Sequence, residues 1–258
     1  MKSLYEKERQ DALQEHAHLI TPDLITEEDM ARLPEPVQRF LRRGGYVGRE
    51  RMTNAQVVWA HSEIRMAPDR DWMRLETHQF NSVPEPFRIA YMKARIAGII
   101  PFEGRDLYRD GRGHMLGKIL NLFKVVDAQD PEIAQSALVT VFAEAFLVPS
   151  YALQSYITWE EWGEGWARAR IRHKGLEAVG TFFFNEADEM VRFETGDRYY
   201  SRPEGGYEKV RFSAFVDGYQ DQEGLRIPRG VRAVWHLEGE DYEYWRGSIQ
   251  EVRFDVRR

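Results

Sequence analysis

A chain of 258 residues, 43% hydrophobic and 30% charged, is long enough to bury a full core. Its 36 basic against 42 acidic residues give a formal charge of −6, which leaves no basic excess to neutralise phosphates and argues against nucleic acid as a partner. With no cysteine there is no disulfide framework, thiolate metal site or cysteine nucleophile, and an aromatic fraction of 13% leans toward sheet, where flat rings pack on a pleated face.

The opening "MKSLYEKERQDALQEH" carries charges where a signal peptide needs an apolar core, and no apolar run approaches the roughly 20 residues that span a bilayer. The expectation is a cytoplasmic protein without a transmembrane segment. Residues 1–30 are polar and predict an N-terminal helical extension broken at Thr21-Pro22; residues 31–258 are expected to form one domain. Within "TEEDMARLPEPVQRFLRRGG", Thr26 can cap with Asp29 three residues on and Pro36 suits a first helical turn. Val37, Phe40 and Leu41 then share a face before the Gly44-Gly45 stop.

From Arg51 the period changes to two. In "VVWAHSEIRM", Val58, Ala60, Ser62, Ile64 and Met66 point one way, while Trp59, His61, Glu63 and Arg65 point the other. "DWMRLETHQF" and "FRIAYMKARI" follow with similar alternation, and Asp110-Gly111 predicts a tight hairpin turn. One helix interrupts the strands, with Asp130 as N-cap and Pro131 in its first turn. Ile133, Ala137, Val141 and Ala145, with Leu138, Phe142 and Phe146, form its apolar face; Gln135, Ser136, Thr140 and Glu144 gather on the other side. Val148-Pro149 stops it. Strands resume through "WARARIRH", "EAVGTFFFN", "EMVRFETGDRYY", "YEKVRFSAFVDGY" and "IPRGVRAVWHLE". The order predicts a mainly β (α+β) fold, one continuous curved antiparallel sheet with a few helices against it.

Several clusters invite chemistry. "LEGEDYEYWRGSI" crowds acids and aromatics, but the break at Gly239-Glu240-Asp241 between two alternating runs predicts a solvated hairpin tip. "TWEEWGEGW" sets Trp159, Trp162 and Trp166 among Glu160, Glu161 and Glu164, like a sugar platform, yet adjacency in one segment does not place two carboxylates across a cleft. The histidines show no metal signature, although His61 and His78 fall on successive predicted strands. "GRDLYRDGRGHMLGKIL" clusters Arg105, Asp106, Tyr108, Arg109, His114 and Lys118 without a phosphate-loop frame. No G-x-S-x-G elbow occurs, and neither metal nor cofactor is expected. What remains is apolar: Trp59, Tyr91, Tyr108, Phe142, Phe146, Phe182, Phe184 and Trp235 are candidates to line a space between the sheet and the helix covering it. Such a space is ordinarily solid core; in a sheet that curves without closing it can hold a ligand.

The motifs "LPEPVQRFLRRGG", "GRDLYRDGRGHMLGKILNLFKVVDA", "AEAFLVPSYAL", "YITWE" and "IPRGVRAVWHLEGEDYEYWRG", in this order from about Leu33 to the C-terminus, resemble an uncharacterised bacterial family of unknown function, similar in turn to the LolA/LolB type of lipoprotein carrier. The resemblance implies an unclosed antiparallel half-barrel, helices plugging its concave face, and a lipid or other hydrophobic ligand in an apolar cavity. It supplies no catalytic residues. Non-catalytic binding is therefore the leading expectation. An enzyme using carboxylates such as Glu144 or Asp106 is the second, and an interaction protein with a filled core the third.

Overall fold

In the computed structural model, which describes residues 1–19 and 23–257, the alternating stretch after Arg51 forms a six-stranded meander. Its members are β1 (Asn54–Ile64), β2 (Met73–Ser82), β3 (Phe87–Ile96), β4 (Ile100–Arg109), β5 (Arg112–Ile119) and β6 (Phe123–Ala128). Asp110 and Gly111 both take positive φ, 51° and 75°, the sense of turn that returns a strand with the native twist. The break expected at Thr21-Pro22 lies outside the described residues.

The second half contains β7 (Ile157–Gly163), β8 (Trp166–His173), β9 (Leu176–Phe184), β10 (Met190–Thr195), β11 (Tyr199–Ser201), β12 (Tyr207–Lys209) and β13 (Phe212–Val216). It continues with β14 (Tyr219–Gln222), β15 (Leu225–Pro228), β16 (Gly230–Leu237) and β17 (Glu240–Phe254). Thirteen strands form one antiparallel sheet in the order β6-β5-β4-β3-β2-β1-β17-β16-β13-β10-β9-β8-β7. Its seam is β1 against β17, running from Ala55 opposite Phe254 to Ile64 opposite Trp245. The sheet curls until β4, third in the order, meets β8, twelfth: the Tyr108 hydroxyl and His173 Nδ1 share a 2.7 Å hydrogen bond. Edge strands β6 and β7 do not pair, so the barrel stays open.

Three expected strands are divided. "EMVRFETGDRYY" splits into β10 and β11, "YEKVRFSAFVDGY" into β12 and β13, and "IPRGVRAVWHLE" into β15 and β16. The first two splits have one cause: residues 196–211 leave the sheet as a strap that reaches the central helix. That helix is the fourth in the chain, after α1 (Lys2–His16), α2 (Glu27–Met30) and α3 (Glu35–Arg43); α4 spans Pro131–Ala143. The Ser136 hydroxyl of α4 accepts the Tyr199 N–H at 3.0 Å, and the Asp130 carboxylate accepts the Tyr207 hydroxyl at 2.7 Å. Asp130 therefore serves the strap and makes no side-chain cap on α4.

Helix α4 lies in the hollow of the sheet, touching β4 and β5 on one flank and β9 on the other. It reaches β5 because Gly113 has no side chain: a Cβ there would sit 2.6 Å from the Ile133 carbonyl oxygen and 2.7 Å from Ala134 Cα. Toward β9 the contact is aromatic. The helix ends at Ala143, short of the stop expected at Val148-Pro149, so Phe146 sits in the turn beyond it. Phe142 and Phe146 set their rings edge-on to Phe182 at 5.2 and 4.9 Å, and Phe40 of α3 closes on Phe146 at 4.6 Å. Thr26 and Asp29 form a reciprocal capping box on α2, whose Met30 joins the main core together with Ile25.

Helix α1 covers the opposite face of the sheet. Tyr5 and Ala12 pack with Phe80, Phe87, Ile89 and Tyr91, so β2 and β3 are buried on both sides. At its end His16 Nδ1 shares a 2.6 Å hydrogen bond with Ser82 Oγ, its ring edge-on to Phe87. Burial lowers the His16 pKa below the ordinary 6.5, against the opposing pull of Glu15, Glu85 and Asp110. The folded chain thus favours the neutral ring, so α1 docking is full above the unfolded value and weakens as pH falls through it toward the lower folded one. Amide exchange along α1 is expected to be faster at pH 5.5 than at 7.5 in the wild type, relative to the core strands. His16→Gln should remove that difference.

Candidate functional site

The interior is solid where inward-facing side chains are large and hollow where they are alanine. On β13 and β16 the facing pairs run Phe212–Trp235, Ala214–Ala233, Val216–Val231, a small layer between two bulky ones. Ala90 of β3 and Ala143 of α4 complete the gap. The result is a cavity of about 200 Å³ between the sheet and the C-terminal half of α4, walled by Trp59, Met92, Met115, Leu147, Met190 and Trp245 among others.

One end of this cavity is polar. Register places Asn81 opposite Arg88, Gln79 opposite Ala90, and Ala90 opposite Asp106, so all point to the α4 side. Arg88 donates from Nε to Glu144 Oε1 at 2.8 Å and from Nη1 to Asp106 Oδ2 at 2.7 Å. The other Glu144 oxygen accepts from Gln79 Nε2 at 3.0 Å and Asn81 Nδ2 at 2.8 Å. Burial works to lower the Arg88 pKa, but the Glu144 and Asp106 carboxylates outweigh it and the value is raised, which fixes the guanidinium as a permanent cation. Both oxygens of Glu144 are thereby satisfied. The two acids named from the sequence are thus brought to one guanidinium.

At the strap sits a second arginine of different character. Arg198 lies over the rings of Phe212 at 4.1 Å, Trp235 at 5.1 Å and Tyr244 at 5.8 Å. Its Nε is shielded from solvent without a hydrogen-bond acceptor, as is the Nε1 of Trp59, and both residues line the cavity.

Of the aromatic candidates, Trp59 and Phe146 line the cavity. Phe142, Phe182 and Phe184 belong to the packed stack on the other flank of α4, and Trp235 stands behind Arg198. Tyr108 is buried and engaged with His173, whose Nε2 is 2.9 Å from Glu85. Tyr91 lies on the far side of the sheet under α1, because odd-numbered residues of β3 face outward there.

The simple alternation expected for β1 is interrupted. Trp59 pairs with Ile249 but His61 with Ser248, a bulge that brings Ser62 and Ile64 round to the Trp59 side. His61 and His78 do not meet; each pairs with its own neighbour, Glu63 and Glu76. Glu160 and Glu161 bind Arg170 and Arg168 across β7 and β8, and Trp162 is exposed, so no cleft unites them. Two arginines of the "GRDLYRDGRGHMLGKIL" cluster hold α1: Arg105 reaches Glu8 at 3.2 Å and Arg109 pairs with Glu15. Among the described residues no group of three or more His, Asp or Glu side chains could hold a metal.

The residues that sequence reasoning missed are Arg88, Gln79, Asn81 and Arg198, together with the wall methionines. Only the alanine pair between bulky pairs was a readable signal, and reading it requires the register.

Against protein families, residues 23–247 match the model of a family of unknown function, DUF6544. The chain belongs to the DUF6544 family. Every residue lining the cavity falls inside that match, and α1 precedes it. No curated protein matches the chain. Among solved structures this DUF6544 chain is similar to a LolA superfamily protein from Nitrosomonas europaea, at 10% identity and a TM-score of 0.45, over 86% of this chain and 94% of that one. It is also similar to a DUF1329 family protein from Desulfovibrio piger ATCC 29098, at 10% identity and a TM-score of 0.47, over 91% and 95%.

Proposed function

We propose that the protein binds a small, mainly apolar molecule in the cavity beside α4. The observation that carries this reading is the alanine layer, which leaves a space of about 200 Å³ between otherwise packed aromatic and aliphatic side chains. Interiors are normally filled to crystal-like density, so a hollow of this size forfeits dispersion contacts that a ligand restores. The space corresponds to roughly six or seven water-sized groups. At about 0.8 kcal/mol for each buried methylene, a chain of that length gains roughly 5 kcal/mol, an affinity on the order of 0.1–1 mM.

Titration calorimetry with 1-octanol tests the reading directly, alongside native mass spectrometry and solvent extraction of the purified protein. Saturable binding is expected, and its absence, with no extracted apolar molecule, would sink the proposal. Ala233→Leu, which fills the gap, is expected to abolish octanol binding while raising stability by about 0.5–2 kcal/mol.

A second reading, hydrolysis, is favoured by one observation: Glu144 and Asp106 meet on Arg88 at the cavity wall. It requires turnover of short-chain p-nitrophenyl esters or glycosides that disappears in both Glu144→Gln and Asp106→Asn.

A further inference from the structure

We infer that the ligand is a monoanionic amphiphile of short to medium chain length, its head held by Arg198 and its tail lying along the alanine layer. This rests on the cavity reading and adds a charge and a direction to it.

The two arginines of the cavity differ in how their charge is met. Arg88 spends donors on Glu144 and Asp106. Arg198 has no ion pair among the described residues; aromatic faces surround it, and its Nε is buried without an acceptor. Ring faces compensate a cation only in part, and they offer nothing to the N–H groups in the guanidinium plane. A carboxylate has the complementary geometry, two acceptors matched to the arginine fork.

The backbone around Arg198 is fixed in place. The Asp197 carboxylate on one side accepts from the Val179 N–H at 2.9 Å and Lys209 Nζ at 2.9 Å, so it is turned away from its neighbour's guanidinium. On the other side Tyr199 is tied to Ser136 of α4. The cation is thus held at the strap before any ligand arrives.

Charge also sets the direction. Arg88, Glu144 and Asp106 together carry one net negative charge at the β2–β4 end, which disfavours an anion there and favours it at Arg198. Desolvation cost rises with the square of the head's charge while attraction to one guanidinium rises only in proportion to it, which favours a monoanionic over a dianionic head. From Phe212 and Trp235 beside Arg198, the register steps to Ala214 and Ala233 and then to Val216 and Val231, an apolar path for the tail. The Nε1 of Trp59 is a further donor on the wall without an acceptor.

The experiment compares octanoate, 1-octanol, octyl phosphate and octyltrimethylammonium by calorimetry on the full chain and on Arg198→Met, which keeps length and apolar contact with the rings. Octanoate is expected to bind the wild type roughly tenfold or more tightly than octanol, the scale of one charge-assisted interaction. It should also exceed octyl phosphate at a pH where the phosphate is dianionic, and the ammonium should not bind. In Arg198→Met the ratio of octanoate to octanol affinity is expected to fall to about one, with thermal unfolding showing that the variant is folded. If octanol binds and octanoate does not exceed it in the wild type, the headgroup inference is overturned and the cavity reading stands. Binding by none of the probes overturns both. Should Arg198→Met fail to fold, the wild-type comparison decides, with Arg198→Gln as the second variant.

Discussion

Replacing Arg88 with methionine is expected to cost about 3–5 kcal/mol of folding stability, the loss typical of removing one partner from a buried ion pair. Methionine preserves the length and much of the apolar contact, so the effect isolates charge. Without the guanidinium, Glu144 and Asp106 would face each other as two uncompensated anions, both largely screened from solvent by α4 and the sheet. Gln79 and Asn81 would still serve one Glu144 oxygen, but carboxamides carry no charge. Guanidinium chloride unfolding followed by tryptophan fluorescence measures the loss. A shift below about 1 kcal/mol would show that water already reaches these carboxylates. The triple variant Arg88→Met, Asp106→Asn, Glu144→Gln should regain more than half the loss, because it removes the stranded charges along with their cation.

Gly113→Ala is expected to destabilise the fold by about 2–3 kcal/mol, large for a single added methyl group. The cause is that the colliding atoms are backbone: the new Cβ meets the Ile133 carbonyl and Ala134 Cα, and no rotamer change relieves it. Helix α4 must lift from β5 at its N-terminal end. Its other end carries Ala143 and Glu144 into the cavity wall, so the same substitution should weaken octanol binding even at temperatures where the variant is folded. Thermal unfolding and calorimetry on one preparation separate the two effects. Unchanged binding with reduced stability would mean that the helix pivots about its C-terminal end.

Much of the architecture is legible in the sequence because it depends on local rules. Period-two alternation marks the meander, Asp110-Gly111 marks its tightest turn, and Pro131 with the Ala137, Leu138, Val141 and Phe142 face marks α4, although the helix ends at Ala143 and not at Val148-Pro149. Glu144 and Asp106 also stand out as acids in otherwise apolar or alternating surroundings. The rest is not local. In β3 the run Arg88, Ala90, Met92 looks like the solvent side beside Phe87, Ile89, Tyr91, yet α1 covers the second set and α4 faces the first. A strand buried on both faces gives alternation no contrast to read, which is why the sequence points to Tyr91 as a cavity residue and passes over Arg88. Trp59 and Ile64 share a side only through a bulge that no propensity announces. Arg198 is one of 36 basic residues, and its lack of a carboxylate partner among the described residues is visible only once the strap is folded over its three rings.

The seam between β1 and β17 has a kinetic consequence. The β1–β6 meander and the β7–β10 set pair neighbour with neighbour, so each can assemble through short loop closures. Joining them requires residues near 55 to find residues near 254, and the Tyr108–His173 contact that curls the sheet waits on that step. Closing so long a loop has a high entropic cost before any contact compensates for it, and folds dominated by such pairings reach the native state in milliseconds to seconds. Refolding should therefore show the α4 and hairpin signals first. The cavity, whose walls come from both sides of the seam, is among the last features to form.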